Sequence, residues 1–240
     1  MAPLQDPGPV WIDCLLTVKD NSGHEWLVAH YVCMKGLDAM TEHGLIIFND
    51  DTQQFDRLVQ FNKKDRPCGP PSRAVHVGDY FYFVAPFATM RVKATLADLK
   101  NQDSYESLSA DQTVTDVDSR KPVKLQSGSI NWNTYRKKWI LIAVQKYGES
   151  SYLGEVWYSE ADNVTGPWRW AKKILTHNRY GFYNPKHHPF FDQENGRLIY
   201  FEGTYSERYE KRSLPTPRYD YNQIMYRLDL ADPRLHLPQP

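Results

Sequence analysis

The sequence predicts an all-β fold, a β-propeller of four to five blades. Three observations carry this reading. Short apolar runs separated by Gly, Asn, Asp and Pro turn signals recur along nearly the whole chain. Hairpin-led groups of strands begin near Asp13, Arg73, Ser129 and Asn184, a weak internal repeat of roughly 55–60 residues. Aromatics are plentiful, with 7 Trp and 16 Tyr, and such side chains pack well on sheets. A β-sandwich also gives many short strands, but not a recurring inner hairpin followed by an outer pair.

Each element follows from its residues. VWIDCLLTVKD, the turn Asn21-Ser22-Gly23 and EWLVAHYVCMK form a first hairpin, and HGLIIFND and QFDRLVQF complete a four-strand meander. After the polar connection NKKDRPCGPPS, RAVHVGDYFYFVAPF turns at Gly78 and Asp79, and MRVKAT serves as a third strand. Helix-forming residues with apolar spacing at Leu96, Leu99, Tyr105 and Leu108 predict a short helical insertion near 96–109. DQTVTDVDSRKPVKLQSG reads as a strand plus loop. SINWNTYRKKWILIAVQKYG turns at Thr134 to Lys137, and LGEVWYSEAD and GPWRWAKKIL follow as third and fourth strands. YNQIMYRLDLA is a late strand after a charged loop, Glu207 to Asp220, expected to move. The domain expected is one propeller over 1–240, with blade-like units at about 10–62, 70–125, 127–178 and 182–231; it has four blades, or five with one missing.

Composition bounds the function. The chain has 240 residues and is 41% hydrophobic, enough for one sizeable core. Its 29 basic and 29 acidic residues cancel without a block of one sign, which argues against nucleic acid as a partner. No apolar run is long enough to insert in a membrane, and MAPLQDPGPVW is not a signal peptide. The expectation is a soluble protein, secreted or periplasmic if a signal has been removed and otherwise cytoplasmic, of unknown oligomeric state. Cys14, Cys33 and Cys68 lack metal-site spacing and leave one bridge, such as Cys14 to Cys33, open.

The densest stretch is YNPKHHPFFDQENGRLIYFEGTY, Tyr183 to Tyr205. It reads as a hairpin in which a strand from His187 to Asp192 meets a turn at Asn195-Gly196 and a second strand returns, bringing Glu202 beside His187 and His188. In a propeller, inner-strand starts and second-strand ends converge on one face of the channel. That rule gathers Asp13, Arg73, Asn131, His187 and His188 with His30, Gln145 and Glu202. Third-strand starts add Glu42, His43 and Glu155, and Tyr31, Tyr152, Tyr183 and Tyr205 form a rim. Paired carboxylates among tyrosines suit glycoside hydrolysis, with Asp13 as base or nucleophile and Glu202 or Glu155 as acid. The remaining residues would bind substrate. Adjacent strand residues point to opposite faces, so His187 and His188 do not share a metal ion. No cofactor is required, though a histidine facing the channel could help to hold a structural calcium ion.

The run YNPKHHPFFDQENGRLIYFEGTYS, preceded by GEVWYSEADNVTGPW and by VWIDCLLTVKD near the start, resembles bacterial proteins of unassigned function that look like five-bladed propeller glycosidases. These are similar to family-forty-three glycosidases and to a related domain family with arabinan-degrading members. The resemblance implies acidic residues around the channel and often a central ion. Asp13 matches the inner-strand carboxylate, whereas a full acid, base and modulator set is not matched. The expected function is therefore a carbohydrate-active hydrolase acting on a polysaccharide or oligosaccharide. The alternative is a non-catalytic propeller that binds glycan or protein.

Overall fold

The computed structural model describes residues 9–36, 39–62, 73–109, 113–177, 180–206 and 221–238. The expected mobile loop at 207–220 and most of the 62–72 connection lie outside these residues. Among the described residues the protein is nearly all-β, 59% strand, with the four-blade arrangement of a β-propeller. Its residues group into two compact units, 1–84 with 88–109, and 85–87 with 110–240.

The first unit opens with β1 (Val10–Lys19), β2 (Glu25–Lys35), β3 (Ala39–Asn49) and β4 (Gln54–Gln60), an antiparallel meander in chain order. From Cys14 onward β1 alternates, burying Cys14, Leu16 and Val18 and exposing the residues between them. The β1–β2 turn is held by Asp20, whose Oδ1 accepts from the Ser22 backbone N–H at 2.8 Å and whose Oδ2 accepts from Trp26 Nε1 at 2.9 Å. Gly23, at φ +85°, supplies the left-handed step.

A second meander contains β5 (Ala74–Val77), β6 (Tyr80–Val84), β7 (Ala88–Lys93) and the short β8 (Glu106–Ser107). Between β7 and β8 the expected insertion appears as α1 (Leu96–Lys100) and a 3-10 turn at Gln102–Ser104. Thr95 caps α1 by accepting the Asp98 backbone N–H at 3.0 Å. The insertion adds Leu99 and Tyr105 to a core of Leu16, Val28, Leu45, Phe81, Phe83 and Val92.

The second unit holds a six-stranded and a three-stranded sheet. In the larger, β9 (Val114–Asp116) and β10 (Pro122–Val123) join β11 (Leu125–Asn133), β12 (Lys138–Gln145), β13 (Glu155–Ala161) and β14 (Trp170–Thr176). Here the structure departs from the sequence reading, since the stretch expected to close the second blade serves the third. β9 pairs with β14 in parallel, Trp170 opposite Thr115, a long-range match that no local turn announces.

The last sheet runs β15 (Gly181–His187), β16 (Leu198–Ser206), β17 (Tyr221–Asp229). The expected first strand of this hairpin, His187 to Asp192, is corrected: the strand ends at His187, and Pro189–Phe191 form a 3-10 turn. Proline has no N–H to continue a ladder. Asn195 and Gly196 do make the turn, at φ +57° and +87°. The core of this unit joins Ile140, Ile142, Val144 and Tyr158 to Phe182, Ile199, Phe201 and Leu230.

Candidate functional site

In the first unit, the expected residues Asp13, His30 and His43 form one chain of contacts. A bulge in β1 sets it up: Asp13 pairs with His30 and Leu16 with Val28, so Cys14 and Leu15 together oppose Ala29, with Cys14 at φ +49°. The bulge lines up the Asp13 and His30 side chains in mid-strand, not at the strand start expected of Asp13. His30 Nδ1–H donates to Asp13 Oδ1 at 2.9 Å, and its Nε2 then accepts from His43 Nδ1–H across a long 3.4 Å. Both imidazoles are buried, while the Asp13 side chain keeps 32% of its surface. Burial, with His30 close by, pushes the His43 imidazole down to about 4. That ring is neutral at pH 7, and its Nε2 is buried without a hydrogen-bond partner among the described residues.

Tyr31, expected on the rim, lies instead in the core. Its ring packs over Gly44, where a Cβ would sit 3.0 Å from Tyr31 Cε1 and 2.1 Å from the Val59 carbonyl. Its hydroxyl donates to Glu42 Oε1 at 2.5 Å, and Arg57 Nη2 lies 2.8 Å from the same oxygen. Burial followed by the Glu42 contact raises the Tyr31 phenol far above its ordinary value, so it stays protonated. Arg73 precedes β5, and its carbonyl accepts from the Val84 N–H at 2.9 Å. Cys14 and Cys33 are both buried thiols, so the bridge left open between them is not formed.

In the second unit, His187 and His188 diverge as adjacent residues at a strand end should. His187 is buried, donates from Nε2 to Asp192 Oδ1 at 2.9 Å and accepts from Asn131 Nδ2 at 3.2 Å through Nδ1. Its backbone N–H donates to Ser129 Oγ at 2.8 Å. It is thus a pin joining β11, β15 and the turn after β15. His188 lies 2.9 Å from Glu202 Oε1. Glu202 sits in mid-strand opposite Lys186, not at the end of β16. Burial alone would raise its carboxyl, but hydrogen bonds from His188 and Gln223 and the charges of His188 and Lys186 hold it below the usual value. The Gln223 amide is oriented for this, since its Oε1 accepts from Thr204 Oγ1 at 2.9 Å. Glu202 is therefore ionised at neutral pH, a hydrogen-bond acceptor rather than a proton donor.

Two aromatic residues missed by the sequence reading complete this corner. Phe190 and Phe191 are 75% and 49% exposed, their ring centroids 4.4 Å apart, and His188 lies 5.2 Å from Phe190. The signal was in the sequence: Pro189 halts the strand and leaves two consecutive phenylalanines in a turn that cannot bury both.

The other expected residues of this unit are engaged internally. Gln145 Oε1 accepts from Trp157 Nε1 at 2.8 Å. Tyr205 stacks on Tyr180 at 4.1 Å, and Tyr183 packs against the core. Glu155 is 1% exposed; its Oε1 accepts from the Ser150 N–H at 2.8 Å. Among the described residues no cluster of three His, Cys, Asp or Glu side chains could hold a metal ion, and no helix is long and apolar enough to cross a membrane.

No protein-family model and no curated protein matches this chain. Similar solved structures include an exo-β-1,3-galactanase from Phanerochaete chrysosporium, crystallised with β-1,3-galactotriose (TM-score 0.48, 11% identity, 92% of this chain and 47% of that one). An endo-1,5-α-L-arabinanase from Thermotoga petrophila aligns at TM-score 0.46 and 10% identity, over 92% of this chain and 57% of that one. An N-acetylgalactosamine deacetylase from F. plautii, in complex with blood group B trisaccharide, aligns at 0.46 and 9%, over 93% and 73%. The chain spans about half the length of the galactanase and of the arabinanase.

Proposed function

We propose that this is a carbohydrate-active protein that engages sugar at the corner formed by His188, Phe190, Phe191, Glu202 and Gln223. The observation that carries the reading is the exposed Phe190–Phe191 pair beside an ionised, half-buried carboxylate. Apolar ring faces accept the C–H faces of a pyranose or furanose, while a carboxylate, an amide and an imidazole bond to its hydroxyls; a site of this kind needs both components. Sugars named for the similar structures set the choice of ligands to try: galactans, arabinans and N-acetylgalactosamine-containing oligosaccharides.

The test is affinity electrophoresis and calorimetry with those glycans, using the wild type, Phe190→Ala and Glu202→Gln. Phe190 is so exposed that its removal should leave folding intact, and each variant should weaken binding by about tenfold or more. Binding that is indifferent to both changes would sink the assignment of the corner, and absence of binding to every sugar would sink the reading itself.

Hydrolysis is the finer form of the proposal, placed in the first unit and independent of the corner in the second. It is favoured by Asp13, a partly exposed carboxylate oriented by a buried histidine pair, as a base or nucleophile requires. Glu202, ionised by its partners, fits an acceptor role better than the acid role expected for it. A cleavage screen separates the forms: turnover lost in Asp13→Asn with sugar binding kept supports the hydrolase, and binding without turnover in the wild type supports a glycan-binding module.

A further inference from the structure

The loop between β12 and β13, Lys146 to Gly154, folds over Glu155. Glu155 is 1% exposed, yet among the described residues it forms no ion pair with any lysine, arginine or histidine. Its Oε1 has one donor, the Ser150 backbone N–H. Among the described residues its Oε2 has none and is buried, and the hydroxyl of the same Ser150 is also buried without a partner. Two glycines make this arrangement possible. A Cβ on Gly148 would lie 1.6 Å from Glu155 Oε2 and 2.9 Å from the Ser151 carbonyl, so both oxygens lie against the same face of Gly148. A Cβ on Gly154 would lie 2.0 Å from Ser150 Oγ.

Among the described residues, the lysine within the loop and the one that reaches Glu149 are engaged elsewhere. Lys173 Nζ is 4.0 Å from Glu149, and Lys146 lies over the Tyr147 ring. A buried carboxylate oxygen with neither a donor nor a counter-charge is expensive, by several kcal/mol in general experience. The Glu155 carboxylate and the Ser151 carbonyl oxygen lie together against Gly148, and the Ser150 hydroxyl, against Gly154, belongs to the same loop. Hard divalent cations choose such a set, calcium in particular, because it accepts irregular geometry and completes its shell with water.

We propose that this loop binds a calcium-type cation through Glu155 Oε2, Ser150 Oγ and the Ser151 carbonyl. The loop is already tied down for that purpose: Tyr147 N–H donates to the Tyr152 carbonyl at 2.9 Å, and Ser151 Oγ donates to the Tyr180 carbonyl at 2.9 Å. One carboxylate among neutral oxygens implies modest affinity, on the order of 0.1–1 mM. The site takes Glu155 out of the substrate machinery and assigns it to stability. It does not depend on the sugar proposal, and its readouts involve no sugar.

The full chain, freed of metal with a chelator, is titrated with calcium chloride while the melting temperature is followed. A rise of roughly 3 °C or more is expected at concentrations well above the dissociation constant. Magnesium chloride should give a smaller rise because it demands regular octahedral geometry. In Glu155→Gln the calcium response should vanish, while in Glu149→Gln, whose side chain is 87% exposed, it should persist. Terbium provides a second readout, because Tyr147 and Tyr152 sit in the loop and can sensitise its emission; added calcium should quench that signal. If Glu155→Gln fails to fold, Ser150→Ala serves instead and should need about tenfold more calcium. An unchanged wild-type melting temperature with no sensitised terbium emission overturns the site. So does a calcium response of equal size in both the wild type and the Glu155 or Ser150 variant.

Discussion

His43 shows how a single side chain can couple this fold to pH. Its imidazole titrates at about 4 in the folded protein against 6.5 when unfolded, first because it is buried and then because His30 adjoins it. Between those values the unfolded chain binds a proton that the folded one does not. The stability contributed by the neutral ring is therefore complete above about pH 6.5 and is lost as pH falls towards 4, by on the order of 3 kcal/mol. Urea denaturation at pH 7 and at pH 4.5 should show this loss in the wild type and a shallower one in His43→Leu. Gly44 makes a second case. A methyl there meets the Val59 carbonyl, a backbone atom that cannot swing aside. Gly44→Ala should cost about 2 kcal/mol or more, as a lowered urea midpoint would show. The histidines and carboxylates of the candidate site could be picked out of the sequence as chemistry, and the turn at Asn195-Gly196 set Glu202 beside His188, but the contact of Asp13 with His30 could not be read. Nothing in the spacing of Asp13 and His30 announces a direct hydrogen bond, because it depends on one extra residue in β1.

At the level of the element, that extra residue is the lesson. Turn chemistry was legible: Gly23, Gly78, and Asn195 with Gly196 all stand where the sequence puts turns, each at positive φ. Bulges were not, since a ladder with two residues facing one leaves no mark in local composition. Because strand side chains alternate, removing the bulge would turn one end of β1 over. Deleting Leu15, 62% exposed, should restore regular pairing and move Asp13 to the opposite face. The NMR signals of the His30 ring in that deletion should then match those in Asp13→Asn; retention of the wild-type signals would show that the bulge does not set the contact. The strand limits near His187 were misjudged for a related reason. An apolar run, HPFF, looks like a strand until Pro189 is weighed as a break in hydrogen bonding.

For the molecule as a whole, recurrence of hairpins was enough to reach a propeller of four to five blades, whereas the ownership of β9 and β10 was not legible, since a parallel pairing across more than 50 residues has no local signature. Charge balance is also a whole-chain property. With 29 positive and 29 negative side chains and a sequence pI of about 7.1, little net repulsion keeps copies apart at neutral pH. Precipitation by polyethylene glycol should need least precipitant near pH 7, and clearly more at a pH well removed from the pI, where net charge of one sign builds up; a flat profile would contradict this. β15 has a further bearing on life in a crowded solution. Within its sheet it pairs only with β16, and it carries Pro185 and a left-handed Asn184 at a bulge where two residues oppose Gly203. An edge strand so interrupted offers an incoming chain neither a straight backbone nor a complete row of N–H groups. The kink that ends regular pairing beside the candidate site thus also guards against templated fibril growth from that edge.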